Sequence, residues 1–169
     1  MKIVVANKNQ LSIVANLAYA IWPIAYGEIL SKEQLDYMLD KFYSVDSLND
    51  QLVNKKHVFL LVEESNTFIG FASYELNSGN STKTKIHKIY VLPNTQGKGI
   101  GQVLILEIEK KAIESNNKFL FLNVNRNNKA LGFYLKNNFE IVNTEDIEIG
   151  NGYLMEDYIM EKEIKPPKK

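Results

Sequence analysis

The sequence predicts a mixed α+β fold, with a central mixed sheet of about seven strands and helices on both faces. Three observations point there. Short runs rich in β-branched and aromatic residues alternate with segments of helical periodicity, in the order β-α-α-β-β-β-α-β-α-β-β. Turn-forming residues separate these segments at short intervals. No repeat or linker divides the 169 residues, so one domain over 1–164 with a tail at 165–169 is expected.

Each element has its own warrant. Met1 to Ala6 reads as a first strand. From Gln10 to Tyr26, Leu11, Val14, Leu17, Ala18 and Ile21 recur at helical spacing, with Pro23 disturbing the end and Gly27 suiting a turn. Ser31 followed by Gln34 has the capping-box form and opens a second helix carrying Leu35, Met38, Leu39 and Phe42. A short third helix is expected around Ser47 to Val53. His57–Val62 and Phe68–Leu76 read as hairpin strands joined by residues 63–67. Asn77 to Ser81 is a polar loop. Lys83–Leu92 is a strand ended by Pro93, and Lys98–Ser115 a helix with Ile100, Leu104, Ile108 and Ala112 inward. Phe119–Val124 is a strand, Ala130–Asn137 a helix, and Phe139–Val142 with Tyr153–Ile159 a closing hairpin.

Composition removes several function classes. Twenty Lys+Arg balance twenty Asp+Glu, so no global charge draws the chain to nucleic acid or an anionic membrane. Any bound anion must be held by local geometry. With no cysteine there is no disulfide, thiolate metal site or thiol nucleophile. His57 and His87 are the only histidines, too few for a His-rich metal centre. The N-terminus has no apolar run of signal-peptide length, and no stretch of about 18 apolar residues could span a bilayer. A cytoplasmic enzyme is the expected class.

The most informative segment runs from Ile89 to Gln102. A strand ends at Ile89-Tyr90-Val91-Leu92, Pro93 and a polar turn follow, and Gly97, Gly99 and Gly101 open an amphipathic helix. Glycine lets main-chain N–H groups turn toward one point and lets a bulky anion approach. The helix N-terminus adds unpaired N–H groups and a positive dipole end. A P-loop is excluded because Gly99 follows Lys98 where Ser or Thr is required. A dinucleotide fingerprint is excluded because Gln102 stands at its third glycine position. A loop that merely caps a helix is the plain alternative.

The pattern Gln96-x-x-Gly99-x-Gly101 resembles the coenzyme-A-binding motif of the GNAT (Gcn5-related N-acetyltransferase) superfamily. A second segment agrees: Leu122 to Ala130, then Phe133-Tyr134-Leu135-Lys136-Asn137-Asn138-Phe139, resembles the family's later strand, loop and helix. Asn138 departs from the usual glycine before Phe139, and Asn tolerates the left-handed conformation that glycine would supply. The resemblance covers most of the chain. The helices from Tyr26 to Leu52 and the ending at Gly150 to Tyr158 are similar to the PaiA-like, polyamine-acetylating branch.

The resemblance implies a mostly antiparallel sheet and acetyl-CoA as co-substrate, without a metal. It places the pyrophosphate on Gln96, Gly97, Lys98, Gly99, Ile100, Gly101 and Gln102, and the pantetheine arm along Ile89, Tyr90 and Val91. The Val91 N–H then polarises the thioester carbonyl. Asn127 and Asn128 both match the family's cofactor-binding Asn, with Asn128 slightly preferred. Tyr134 is the acid for the departing thiolate, whose reference pKa of about 8.5 lies below a phenol's of about 10. An alkylammonium with pKa about 10.4 is neutral in only about one part in a thousand near neutral pH, so a proton acceptor is needed. Glu75 is the first candidate and His87 the second. Trp22, Tyr26 and Glu28 fall where the family's first helices roof the acceptor site, although core packing explains the two aromatics equally well. The implied acceptor is a primary amine of a small, polyamine-like molecule, with neither nucleic acid nor membrane as partner, and a homodimer is compatible. A peptide N-acetyltransferase and a non-catalytic coenzyme-A-binding module are the rival readings.

Overall fold

A computed structural model describes residues 1–168, which contain seven strands and five α-helices. The strands are β1 (Lys2–Val5), β2 (Val58–Glu64), β3 (Thr67–Glu75), β4 (Lys83–Val91), β5 (Phe119–Asn125), β6 (Glu140–Gly150) and β7 (Tyr153–Glu163). The helices are α1 (Leu11–Tyr26), α2 (Lys32–Tyr43), α3 (Val45–Val53), α4 (Ile100–Glu114) and α5 (Ala130–Lys136). The sheet order is β1-β2-β3-β4-β5-β7-β6, mixed because β4 and β5 run parallel while β1/β2, β2/β3, β5/β7 and β6/β7 are antiparallel.

The chain forms two compact units. The first comprises residues 1–75 and 88–106, the second residues 76–87 and 107–168. Strand β4 and helix α4 each contribute residues to both. Among the described residues no helix is long and apolar enough to cross a membrane.

In the first unit, Phe59, Leu60, Leu61 and Val62 of β2 are all buried, the continuous apolar run of a strand covered on both faces. Leu11, Val14 and Ile21 of α1, Leu35 and Leu39 of α2 and Leu48 of α3 complete that core. Serines set the helix starts. The Ser31 hydroxyl accepts from the Gln34 N–H at 3.1 Å, and Ser44 caps α3 by accepting from the Ser47 N–H at 3.2 Å. Helix α1 continues through Pro23 to Tyr26. Proline removes one helical rung only, and buried Trp22 and Tyr26 hold the last turn by packing. The β2–β3 connection is tighter than expected. Only Ser65 and Asn66 form the turn, with φ of 51° and 60°, the two left-handed residues that match strand twist.

The second unit has Leu120, Leu122 and Val124 of β5, Met160 of β7 and Ile108 and Ala112 of α4 in its core. The parallel β4–β5 pairing runs from Lys83 opposite Phe119 to Ile86 opposite Leu122. Asn117 secures the approach to that pair, its side-chain oxygen accepting from the Thr84 hydroxyl at 2.7 Å. The closing hairpin is much longer than Phe139–Val142 and Tyr153–Ile159. It turns at Asn151-Gly152, with φ of 57° and 78°, and its strands reach Glu140 and Glu163.

Candidate active site

In the first unit, the glycine loop hangs from a fixed root. The Leu92 N–H bonds the Ile69 carbonyl of β3 at 2.8 Å. Pro93 to Thr95 form a 3-10 turn, locked by the Thr95 hydroxyl and N–H on the Leu92 carbonyl at 2.8 and 2.9 Å. Beyond it Gly97 and Gly99 take φ of 84° and 76°. This backbone region is costly for any residue with a Cβ, by about 1–2 kcal/mol. A Cβ at either position would meet nothing within 4 Å. Glycine is therefore favoured there by backbone conformation and not by crowding, and the space beside the loop is open. Gly97, Lys98 and Gly99 are exposed. The Val103 N–H bonds the Gly99 carbonyl at 3.1 Å, so the amides of Ile100, Gly101 and Gln102 precede that rung of α4. Exposed left-handed glycines at the start of a fifteen-residue helix fit a diphosphate. Lys98 lies 3.9 Å from Glu64 in an exposed ion pair.

Gly70 of β3 makes a close approach to the candidate site that the motifs did not reveal. Its ideal Cβ would stand 2.9 Å from the Tyr90 carbonyl and 3.4 Å from the Val91 Cα. The backbone of β3 thus closes on Tyr90 and Val91, where no side chain fits. A lone glycine inside an apolar strand was the available signal.

An aromatic wall rises beside these residues. Trp22 (4% exposed) and Tyr26 (8%) of α1 have ring centroids 4.5 Å apart, and Trp22 lies 5.2 Å from Tyr43 and 5.8 Å from Tyr90. Phe71 is 5.7 Å from Tyr90 and 6.0 Å from Tyr43. The hydroxyls of Tyr26 and Tyr90 share a hydrogen bond of 2.8 Å. Buried Lys88 stands over Tyr43 and Phe59 at 5.5 and 5.6 Å and donates to the Gln51 side-chain oxygen at 2.6 Å. Glu28 is exposed, two residues beyond the end of α1. Glu75 ends β3, half-buried, with its carboxylate within 4.8 Å of an imidazole nitrogen of buried His57. That neighbour follows from strand register, since Val58 pairs with Tyr74. No spacing rule gave it.

In the second unit, His87 lies half-buried on β4. After β5 the chain turns on its own asparagines. The Asn125 side-chain oxygen accepts from the Asn127 N–H at 2.9 Å, and the Asn128 side-chain oxygen accepts from the Ala130 N–H at 2.9 Å. Asn127 is exposed and Asn128 half-buried. Tyr134 is 8% exposed, its ring 5.3 Å from Phe133 and 5.7 Å from Phe139. Asn138 has φ of 68°, the left-handed conformation expected where glycine is usual. Asp157 of β7, opposite Asn125, is 2% exposed, and burial raises its carboxyl above the ordinary value. The Asn123 amide reaches both Asp157, at 3.4 Å, and Glu145 of β6, at 3.0 Å.

The family model for GNAT acetyltransferases matches residues 16–139, which include the glycine loop, Asn127, Asn128 and Tyr134. This chain belongs to the GNAT acetyltransferase family. The enzyme is 27% identical over 151 residues to a spermidine N(1)-acetyltransferase of Thermoplasma acidophilum, covering 86% of this chain and 89% of the relative. Its fold is similar to that of the PaiA N-acetyltransferase of the same organism, solved in complex with coenzyme A. The TM-score is 0.78 at 27% identity, over 96% of this chain and 99% of the other. A GCN5-related N-acetyltransferase of Rhodopseudomonas palustris has the same fold, with a TM-score of 0.82 at 20% identity over 96% and 95% of the two chains. As a GNAT acetyltransferase, the enzyme uses acetyl-CoA as co-substrate.

Proposed function

We propose that this acetyltransferase acts on a primary amine of a small, polyamine-like molecule, by direct attack of the amine on the acetyl group. The observation that carries the acceptor class is the aromatic wall of Trp22, Tyr26 and Tyr90 beside the Tyr90–Val91 backbone. Clustered aromatic rings favour an aliphatic cation. The 27% identity to a spermidine acetyltransferase agrees with this class. Glu28, exposed past the end of α1, would meet a second ammonium of an extended polyamine.

Acetyl-CoA supplies an activated thioester when bound. The chain's own groups do the rest. Main-chain amides from Gly97 to Gln102, flanked by Gln96, would hold the diphosphate without requiring net positive charge. The backbone of Ile89 to Val91 would carry the pantetheine arm, and the Val91 N–H would stabilise charge developing on the carbonyl oxygen. Asn127 or Asn128 would add a cofactor contact. The Tyr134 hydroxyl would protonate the thiolate. Glu75 lies five residues along β3 from Gly70, about 16 Å of strand. A proton passing from an amine near Val91 to Glu75 would therefore travel through water, as it would to His87.

The experiment is thiol release from acetyl-CoA with spermidine, an aminoglycoside, free amino acids and an N-terminal peptide offered in parallel. Spermidine should give a kcat/KM at least tenfold above the others. A peptide that outpaces it would transfer the proposal to protein acetylation, and acetyl-CoA binding without turnover would leave only a binding module.

A further inference from the structure

We propose that the Tyr26–Tyr90 hydroxyl bond latches the last turn of α1 to strand β4, making both tyrosines positioning residues for the amine. This rests on the reading above that Trp22 and Tyr26 face the acceptor.

The two ends of the bond differ in stiffness. Tyr90 is a rigid post, because the Gly70 backbone closes on the Tyr90 carbonyl too tightly to admit a Cβ. Tyr26 stands at a helix terminus. It is the final residue of α1, three positions after Pro23, which cannot donate to the Tyr19 carbonyl. The chain beyond it keeps helical dihedrals at Gly27, with φ of −60° and ψ of −27°. A Cβ on Gly27 would stand 2.3 Å from the Pro23 carbonyl. The exit is tied locally, the Ile29 and Leu30 N–H groups both bonding the Tyr26 carbonyl at 2.9 Å, and the 2.8 Å hydroxyl bond adds a long-range tie to β4. It joins residues 64 apart in sequence, and Trp22 packs on both rings, at 4.5 and 5.8 Å. Whatever fixes Tyr26 fixes Trp22 as well.

A latch differs in its effect on the amine from core tyrosines that merely satisfy each other's hydroxyls. Kinetics separates the cases. In Tyr26→Phe and Tyr90→Phe the rings stay and the shared hydroxyl bond goes. Each variant should raise the KM for spermidine about fivefold, the factor returned by a hydrogen bond of about 1 kcal/mol. The KM for acetyl-CoA should stay within about twofold. The double variant should be no worse than either single, because one bond is lost once. Amide exchange over residues 24–30 should quicken in all three. Faster exchange with an unchanged amine KM would reduce the pair to a structural contact, and unchanged exchange would remove the latch altogether. Trp22→Phe tests the underlying reading separately. If it leaves the amine KM untouched, the acceptor wall is wrong, whereas an effect there without one in the tyrosine variants sinks the latch alone.

Discussion

Two stretches are proposed to hold the cofactor, and they are built differently. The loop from Leu92 to Gln102 is a backbone device. Its shape comes from left-handed Gly97 and Gly99, and open space lies where side chains would be. The stretch from Asn125 to Phe139 is a side-chain device, in which asparagine oxygens fold the turn and Asn138 takes the left-handed place of a glycine. A backbone device tolerates one residue type at its key positions. A side-chain device can be assembled in more than one way. That difference explains why the sequence points to one run of alternating glycines, Gly97, Gly99 and Gly101, and leaves Asn127 and Asn128 as alternatives.

Substitution can break this contrast. The largest effect is expected at Gly99→Val, which places a β-branched residue at φ of 76° and a side chain in the space left for the anion. Acetyl-CoA affinity by calorimetry should fall at least thirtyfold while the melting temperature moves by only a few degrees. Normal affinity would mean that the loop merely caps α4. Next comes Tyr134→Phe in the side-chain device. Its ring contacts with Phe133 and Phe139 survive, so acetyl-CoA should bind near normally while kcat falls about tenfold. Equal turnover in the variant would reassign Tyr134 to the core.

The smallest effect sharpens the comparison through stability. Asp157 keeps its proton more tightly folded than unfolded, because burial outweighs the Asn123 bond. Between the ordinary carboxylate pKa of about 3.9 and the raised native value, the native state binds more protons than the unfolded one, so stability falls as pH rises. Asp157→Asn should raise the melting temperature by a few degrees at neutral pH, and the gain should shrink toward pH 4. A loss at neutral pH would show that the charged form is needed, for instance to orient Asn123 and the end of β5.

How far the sequence was legible follows the same line. Elements with local signals were readable: the Ser31 cap, the strand stopped at Pro93 and the periodic face of α4 were all expected near their observed bounds. Strand β6 was largely missed, because residues 143 to 148 are almost all exposed and polar and show no alternation. Cross-strand bonding to β7 holds them instead. Pro23 was taken to disturb a helix that tertiary packing carries through. The aromatic wall draws on residues 22, 26, 43, 71 and 90, and its assembly depends on strand register that no local pattern encodes. His57 beside Glu75 is the same case.

Strand β6 has a further consequence. It lies last in the sheet order, an eleven-residue edge strand of the kind that templates unwanted growth. Glu140, Glu145, Asp146 and Glu148 lie along it with no basic residue among them. A second copy laid alongside would set carboxylates against carboxylates. Arg126 pairs with Asp146, and the acidic side chains around it leave the chain's overall neutrality hiding a locally negative border that disfavours edge-to-edge pairing.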